Sequence, residues 1–460
     1  MAASRPLPPG PKRLWSPSIL SMGGDPLAYL AGVAADHGDI ACIRALGRTV
    51  FLVSRPDLIQ DVLVTHQSKF KKGPALHRTR FLLGDGLLTS EGAVHRRQRR
   101  LAQPAFHRGR LEGYAAVMAA AAGRSAGRWA DGAVRDVSAE MSRLTLEIVA
   151  RTLFGGDIGT DADRVSAALA VMMGGFNHLM RPFATLLLRS PLPAARRLRR
   201  ARHDLDEVIF RLIRERRASG QDAGDLLSTL IFTEDADRPG ERMSDVEVRD
   251  QAMTLFLAGH ETTANALAWA WCLLARHDGP WARLQAEVAG LGDQPLTMGD
   301  LPRLPYAMAV MREVLRLYPP AWAIGRLAVE PHVLGGYDVA PGTIVIASPW
   351  VMHRSPGWFG DPLAFRPERW TDAFREGLPR FAYFPFGGGA RTCIGESFAW
   401  MEMALALATL ARAGRPLLES GVMPLPEPRI TLRLKGPVMM RISRPEAFAT
   451  AAPTLAGTAG

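Results

Sequence analysis

Cysteine is scarce in this chain: its 460 residues include only Cys42, Cys272 and Cys393, too few for a disulfide framework. Cys42 and Cys272 lie in apolar segments where a buried thiol is commonplace, and a reducing compartment fits this usage. Long hydrophobic runs are missing too. No stretch of about eighteen uninterrupted apolar residues occurs, and the N-terminus lacks the charged start and apolar core of a signal peptide. A cytoplasmic protein without a transmembrane anchor is expected. Acidic charge is in deficit, leaving a formal net charge of +11 carried almost wholly by arginine. Guanidinium stays protonated and favours bidentate contact with carboxylates and phosphates, which implies an anionic partner or cofactor. Nucleic acid is not that partner, because no helix-turn-helix, zinc finger or aromatic-plus-lysine platform is visible. Apolar residues are not in short supply: 47% hydrophobic and 22% charged is ordinary globular usage, so disorder is not the default.

The Pro-rich residues 1–14 cannot be helix and read as an extended lead-in. Ile40 to Ser54 reads as two short strands around Gly47, and Pro56 to Val64 as a short helix. Helical patterning dominates from Leu111 to Arg217, broken by Pro182, Pro191 and Pro193. The clearest element starts at Ser244, whose spacing to Glu247 is a capping box, and runs to His277. From Ala252 to Leu274 it is apolar on nearly every side, as a helix through the protein centre would be. Gly259, His260, Glu261, Thr262, Thr263 and Asn265 are then polar or small exceptions at buried positions, and each needs a reason. A second helix, Tyr306 to Leu317, ends at Pro319-Pro320, and alternation from Trp322 to Trp350 reads as a small sheet. No linker divides residues 15–446, and the Ala-rich 447–460 reads as a disordered tail.

The segment Phe384 to Gly395, FPFGGGARTCIG, sets Cys393 at the end of a glycine-rich loop just before a strong helix pattern from Glu396 to Ala413. Backbone N–H groups, the positive end of that helix and nearby Arg391 all favour the thiolate. Glycines let backbone approach a flat ligand closely.

Phe386, Gly389, Arg391, Cys393 and Gly395 fit the F-x-x-G-x-R-x-C-x-G haem-ligand signature, and in this the chain resembles the cytochrome P450 family. Three further features agree across most of the chain. Glu313 and Arg316 match the family's E-x-x-R pair, with Arg369 in FRPERW resembling its third member, a network expected to brace the cysteine loop. Ala258-Gly259-His260-Glu261-Thr262-Thr263 resembles the oxygen-binding helix. There, Gly259 would let oxygen or substrate lie against the backbone, while Glu261 and Thr262 would deliver the protons that O–O cleavage consumes. His95 and Arg99, one turn apart in HRRQRR, stand where the family holds haem propionates, although the family often carries Trp where His95 aligns. Arg326 and Arg391 complete the expected propionate contacts.

The resemblance implies a mainly α fold with a small β-rich lobe, one haem b bound through Cys393, and oxidation of a hydrophobic organic substrate by hydroxylation or epoxidation. A thiolate on haem iron donates electron density that favours O–O cleavage. No flavin or ferredoxin motif occurs in the chain, so a separate ferredoxin or flavodoxin system is implied. Rival readings are a haem-thiolate peroxygenase or isomerase, and a haem-binding sensor or carrier without turnover. The Glu261-Thr262 pair argues against both. Pro74 to Leu88, Met172 to Leu188, Thr254 to Ala258 and Trp322 to Ile324 are the expected pocket segments, mostly apolar.

Overall fold

The computed structural model describes residues 6–11, 24–45, 47–155, 161–179 and 190–444. The proposed tail, most of the lead-in and the apolar residues 183–188 lie outside them. The central helix spans Asp245–Arg276, and Ser244 caps it as the spacing predicts. The Ser244 hydroxyl accepts from Glu247 N at 3.3 Å, while the Glu247 carboxylate accepts from Ser244 N at 2.9 Å. Both bonds satisfy N–H groups that a helix start leaves unpaired. Trp269, Trp271 and Leu274 on this helix are completely buried, so it runs through the core as its apolar composition requires.

Helix Val137–Phe154 lies closely along it. Gly259 makes that approach possible, because a Cβ there would stand 3.3 Å from a Val149 methyl. Helix Glu396–Ala413, with the bounds the sequence gives, packs along Arg108–Gly127. The main apolar core extends from Leu82 to Ile442 through these helices.

The strands are short: β1 Ile40–Ala45, β2 Arg48–Val53, β3 Phe70–Lys72, β4 Val134–Asp136, β5 Ile324–Ala328, β6 His332–Leu334, β7 Tyr337–Val339, β8 Ile344–Ala347, β9 Arg415–Leu418, β10 Pro426–Pro428, β11 Leu432–Leu434 and β12 Met439–Ser443. A five-stranded sheet has the order β1-β2-β8-β5-β3. β2 and β8 run parallel and its other neighbours antiparallel. The segment read from sequence as one small sheet therefore divides: β5 and β8 join this sheet, and β6 and β7 form a separate hairpin. The architecture is the mainly α fold with small sheets expected from the sequence.

A second apolar cluster lies under the five-stranded sheet and contains Phe51, Val53, Phe381 and Phe384. Burying each aromatic ring stabilises by roughly 1.5–3 kcal/mol, and Phe381 and Phe384 thereby pin the chain just ahead of the glycine-rich loop.

Candidate active site

The loop that carries Cys393 is held by its backbone. Gly387 and Gly389 have φ of +76° and +71°, a region that glycine enters without strain. A Cβ on Gly389 would lie 2.0 Å from the Leu63 carbonyl oxygen. The Cys393 N–H donates to the Phe386 carbonyl at 3.0 Å, and the Phe386 ring packs 5.4 Å from Trp400.

Cys393 has free surface, yet protein encloses it deeply enough that burial pushes its thiol up to about 11, against opposing pulls from the Gly395 N–H and Arg99. The sequence leads to the expectation that loop N–H groups, the helix end and Arg391 favour the thiolate; in the folded chain desolvation outweighs the Gly395 N–H and Arg99 that pull the other way. A metal ion reverses the balance, since a coordinating thiol is deprotonated outright. Cys42 and Cys272 are buried, as expected, and burial pushes the Cys272 thiol far above its ordinary range, so neither competes as a ligand.

Behind the loop stands the E-x-x-R network. The Glu313 carboxylate accepts from Arg316 at 2.7 and 2.8 Å, from Arg369 at 3.0 Å and from the Trp370 indole at 2.9 Å. Arg316 also donates to the carbonyls of His353, Pro362 and Ala364. His353 closes the link: its Nε2 accepts from Phe384 N at 2.9 Å, and Nδ1 faces the Leu315 carbonyl at 3.3 Å. Burial lowers His353 to about 3, so the ring is neutral, with its proton on Nδ1. The expected brace thus reaches the cysteine loop through one imidazole.

The cationic residues converge. His95 and Arg99 project from helix Gly92–Ala102, and Arg99 donates to the Thr392 carbonyl at 2.7 Å. Arg391 pairs with Glu91 at 2.7 Å and donates to the Phe70 carbonyl. Arg326 is buried, donates to its neighbour's carbonyl at Gly325, and is lowered to about 10 by burial and then by Arg391. His95 falls to about 4 through burial and the charges of Lys72, Arg391 and Arg99.

Lys72 was not foreseen. Its ammonium donates to the Leu87 and Ser90 carbonyls at 2.7 Å each, and burial lowers it to about 8. The signal was the β3 alternation, which turns Phe70 and Lys72 inward and Lys71 outward. Lys72, Arg99, Arg326 and Arg391 therefore crowd one region with Glu91 as the carboxylate in direct contact. Buried charge of one sign is costly unless paired. A cofactor presenting two carboxylates fits this donor set, and haem carries two propionates.

On the central helix the structure corrects the expectation of six buried exceptions. His260 and Thr263 are buried, whereas Gly259, Glu261, Thr262 and Asn265 are only half-buried, and Ala258 is exposed in mid-helix. The open face of the helix is thus at Ala258, and the Cβ direction of Gly259 points toward Val149. The Thr262 hydroxyl donates back to the Ala258 carbonyl at 2.8 Å. Glu261 forms an ion pair with Arg433 and accepts from the Thr431 hydroxyl at 2.5 Å. Both β11-side partners lie far along the chain, where no local spacing could announce them. His260 packs away from the open face, its Nε2 3.0 Å from the Ser142 hydroxyl, and burial lowers it to about 4.

The HRRQRR run also divides. Arg97 pairs with Asp235 and Glu247, and Arg100 with Asp235 and Asp237, while Arg96 is exposed. Charge reversal at Arg97 would break these internal ion pairs, so Arg97 is part of the fold's own charge network. In a second basic run, RRLRRAR at Arg196 to Arg202, Arg202 donates to the Phe81 carbonyl and lies over the Phe81 ring.

An exposed cysteine on a glycine-rich loop, a cationic cluster that fits two carboxylates and a central helix exposed at Ala258 are the features of a haem-thiolate protein. The chain belongs to the cytochrome P450 family, whose model matches residues 8–437. It is 42% identical to Cyclooctatin synthase of Streptomyces melanosporofaciens, covering 92% of each chain. It is 38% identical to Cyclooctat-9-en-7-ol 5-monooxygenase of the same organism, covering 85% of each, and 37% identical to Pentalenene oxygenase of Streptomyces avermitilis, covering 86% of this chain and 87% of that one. Among solved structures, a cytochrome P450DA heme domain matches with TM-score 0.86 and 28% identity, over 96% of this chain and 99% of that one. The chain is accordingly a cytochrome P450 monooxygenase with haem b as its cofactor. Among the described residues no helix is long and apolar enough to cross a membrane.

Proposed function

We propose that this enzyme hydroxylates or epoxidises a largely apolar cyclic terpenoid in the reducing cytoplasm. The observation that carries the substrate class is the set of relatives just described, two of whose names denote an alkenol and an alkene oxidised by those proteins. The exposed Ala258 and the mostly apolar 74–88 and 322–324 segments are compatible with such a ligand.

In this reading Cys393 holds the iron, and Arg99, Arg326, Arg391, Lys72 and His95 hold the propionates. Haem bound there supplies the electron-rich iron that activates dioxygen. The protein's part is to deliver protons and exclude stray water. Thr262 offers a hydroxyl beside the opening at Ala258. Glu261 reaches from that helix to Arg433, a half-buried residue that gives it a path to solvent. To carry protons Glu261 must exchange its Arg433 contact for one toward Thr262, a side-chain rotation.

Electrons come from a separate acidic ferredoxin or flavodoxin. It docks over a recess of about 450 Å³ lined by His95, Arg96, Arg99, Arg100, Gln103, Pro104, His107 and Ala390, which adjoins the cysteine loop and is rich in positive charge.

A library of terpenes, fatty acids and macrocycles should be screened for a shift of the Soret band, then for substrate-dependent oxygen consumption with a surrogate ferredoxin system. Terpenoids shifting the band and yielding oxygenated product are the expected result. Shifts confined to fatty acids or macrocycles would sink the substrate class while leaving the monooxygenase intact. The reduced carbon monoxide complex should absorb near ~450 nm through thiolate ligation, and Cys393→His should abolish that band.

A further inference from the structure

Outside the cofactor cleft, two imidazoles and a carboxylate meet at one point. Asp61 Oδ1 stands 2.8 Å from His66 Nδ1 and 2.8 Å from His332 Nε2. The two rings lie 4.7 Å apart, and the three ligand atoms all fall within 4.8 Å of one another. We propose that Asp61, His66 and His332 form a binding site for a borderline divalent transition-metal ion such as zinc.

The donor set selects the ion. Calcium and magnesium want oxygen ligands, whereas two imidazoles with one carboxylate suit zinc, cobalt or nickel. Tetrahedral zinc with bonds of about 2.0–2.1 Å spaces its ligand atoms about 3.3–3.4 Å apart, so the Asp61 oxygen withdraws from each imidazole by roughly half an ångström while the two imidazole nitrogens, within 4.8 Å of each other, close by up to about 1.4 Å, a movement that the exposed His66 side chain can make. A carboxylate only accepts, so each imidazole now turns an N–H toward it. On metal binding that proton moves to the ring's other nitrogen, and the lone pair takes the ion.

The site is also preorganised. Asp61 and His66 bound a single tight turn, closed by His66 N donating to the Asp61 carbonyl at 2.8 Å. His332 comes from β6, where it pairs in register with Val339, and the Phe70 ring meets its imidazole edge-on at 5.6 Å. Access is graded: His332 is 5% exposed, Asp61 27% and His66 41%. Three protein ligands and one solvent-facing side leave room for water as a fourth ligand.

The position carries a consequence for the enzyme. The same turn supports the cysteine loop, through the Leu63 carbonyl against Gly389 and through Gln67, whose Oε1 accepts from Ala390 N at 2.8 Å. An ion here ties that support to the β6–β7 hairpin, so metal occupancy stiffens the platform beneath the loop without touching the reacting atoms.

The test is equilibrium dialysis of tag-free, chelator-treated holoprotein against low-micromolar zinc, with zinc counted against haem iron by elemental analysis. Wild type should retain close to one zinc per iron, and its unfolding midpoint should rise with zinc. The His66→Ala/His332→Ala double variant should lose both effects while keeping its carbon monoxide band. His66→Ala alone, at the exposed member, serves if the double variant loses haem. His203→Ala, an exposed histidine on helix Pro193–Ser219, should behave as wild type. Absence of zinc from wild type, or equal retention by the His66 variants, would show that the trio is only hydrogen-bonded and overturn the proposal.

Discussion

A threonine hydroxyl that donates to its own helix keeps lone pairs with which to accept, and this is the state of Thr262, bonded back to Ala258. In the function proposed above its contribution belongs to proton delivery, a step after binding. Thr262→Ala should therefore leave haem content and substrate affinity nearly unchanged while product formed per oxygen consumed falls several-fold, the remainder appearing as peroxide. An unchanged ratio would leave the hydroxyl a purely structural part. Lys72 makes the opposite kind of prediction. Its buried ammonium has carbonyl partners and, among the described residues, no ion-pair partner, so in the proposed function the propionates offset its cost. Charge-assisted hydrogen bonds contribute about 1.5–3 kcal/mol, and Lys72→Met should hasten haem transfer to excess apomyoglobin by about tenfold or more. A transfer rate equal to wild type would remove Lys72 from the cradle.

At the scale of elements, the brace helix Pro305–Leu317 and the central helix each depend on a histidine that must stay neutral. His353 accepts from Phe384 N and is lowered to about 3, and His260 is lowered to about 4, both chiefly by burial. Their ordinary value is near 6.5, so the unfolded chain binds these protons first. Stability from the pair is fully present above about pH 6.5 and is lost as pH falls toward 4. Two protons taken up on unfolding give a slope of about 2.7 kcal/mol per pH unit near pH 5. Denaturant titrations between pH 7 and 4.5 should show it, and His353→Gln, which keeps an acceptor for Phe384, should reduce the slope by about 1.4 kcal/mol per pH unit, one proton's share. Elements themselves were legible where local physics sets them: Ser244 with Glu247 marked the start of the central helix, and Glu396–Ala413 has the bounds its pattern gave. Partnerships across the chain were not. Glu261 with Arg433, and the division of β5 and β8 from the β6–β7 hairpin, depend on residues that tertiary packing alone brings together.

For the whole molecule, the excess of positive charge is less free than composition suggests, because most arginines have carboxylate partners inside the fold. Of the HRRQRR run, Arg97 and Arg100 are committed to Asp235 and its neighbours, and Arg99 faces Thr392. Arg96 remains exposed, on the rim of the recess beside Ala390. An acidic electron donor approaching the cysteine side would meet this charge without disturbing the fold. Steering between opposite charges raises association rates and fades with salt, since the screening length shrinks to about 8 Å at physiological ionic strength. Arg96→Glu should thus slow first-electron transfer from an acidic ferredoxin in stopped flow, most at low salt, with little change in substrate affinity. Arg200→Glu, exposed on helix Pro193–Ser219 in the second basic run, should leave the rate near wild type. Equal losses from the two reversals, or rates that ignore salt, would move the docking surface away from this recess and leave its positive lining to the haem propionates alone.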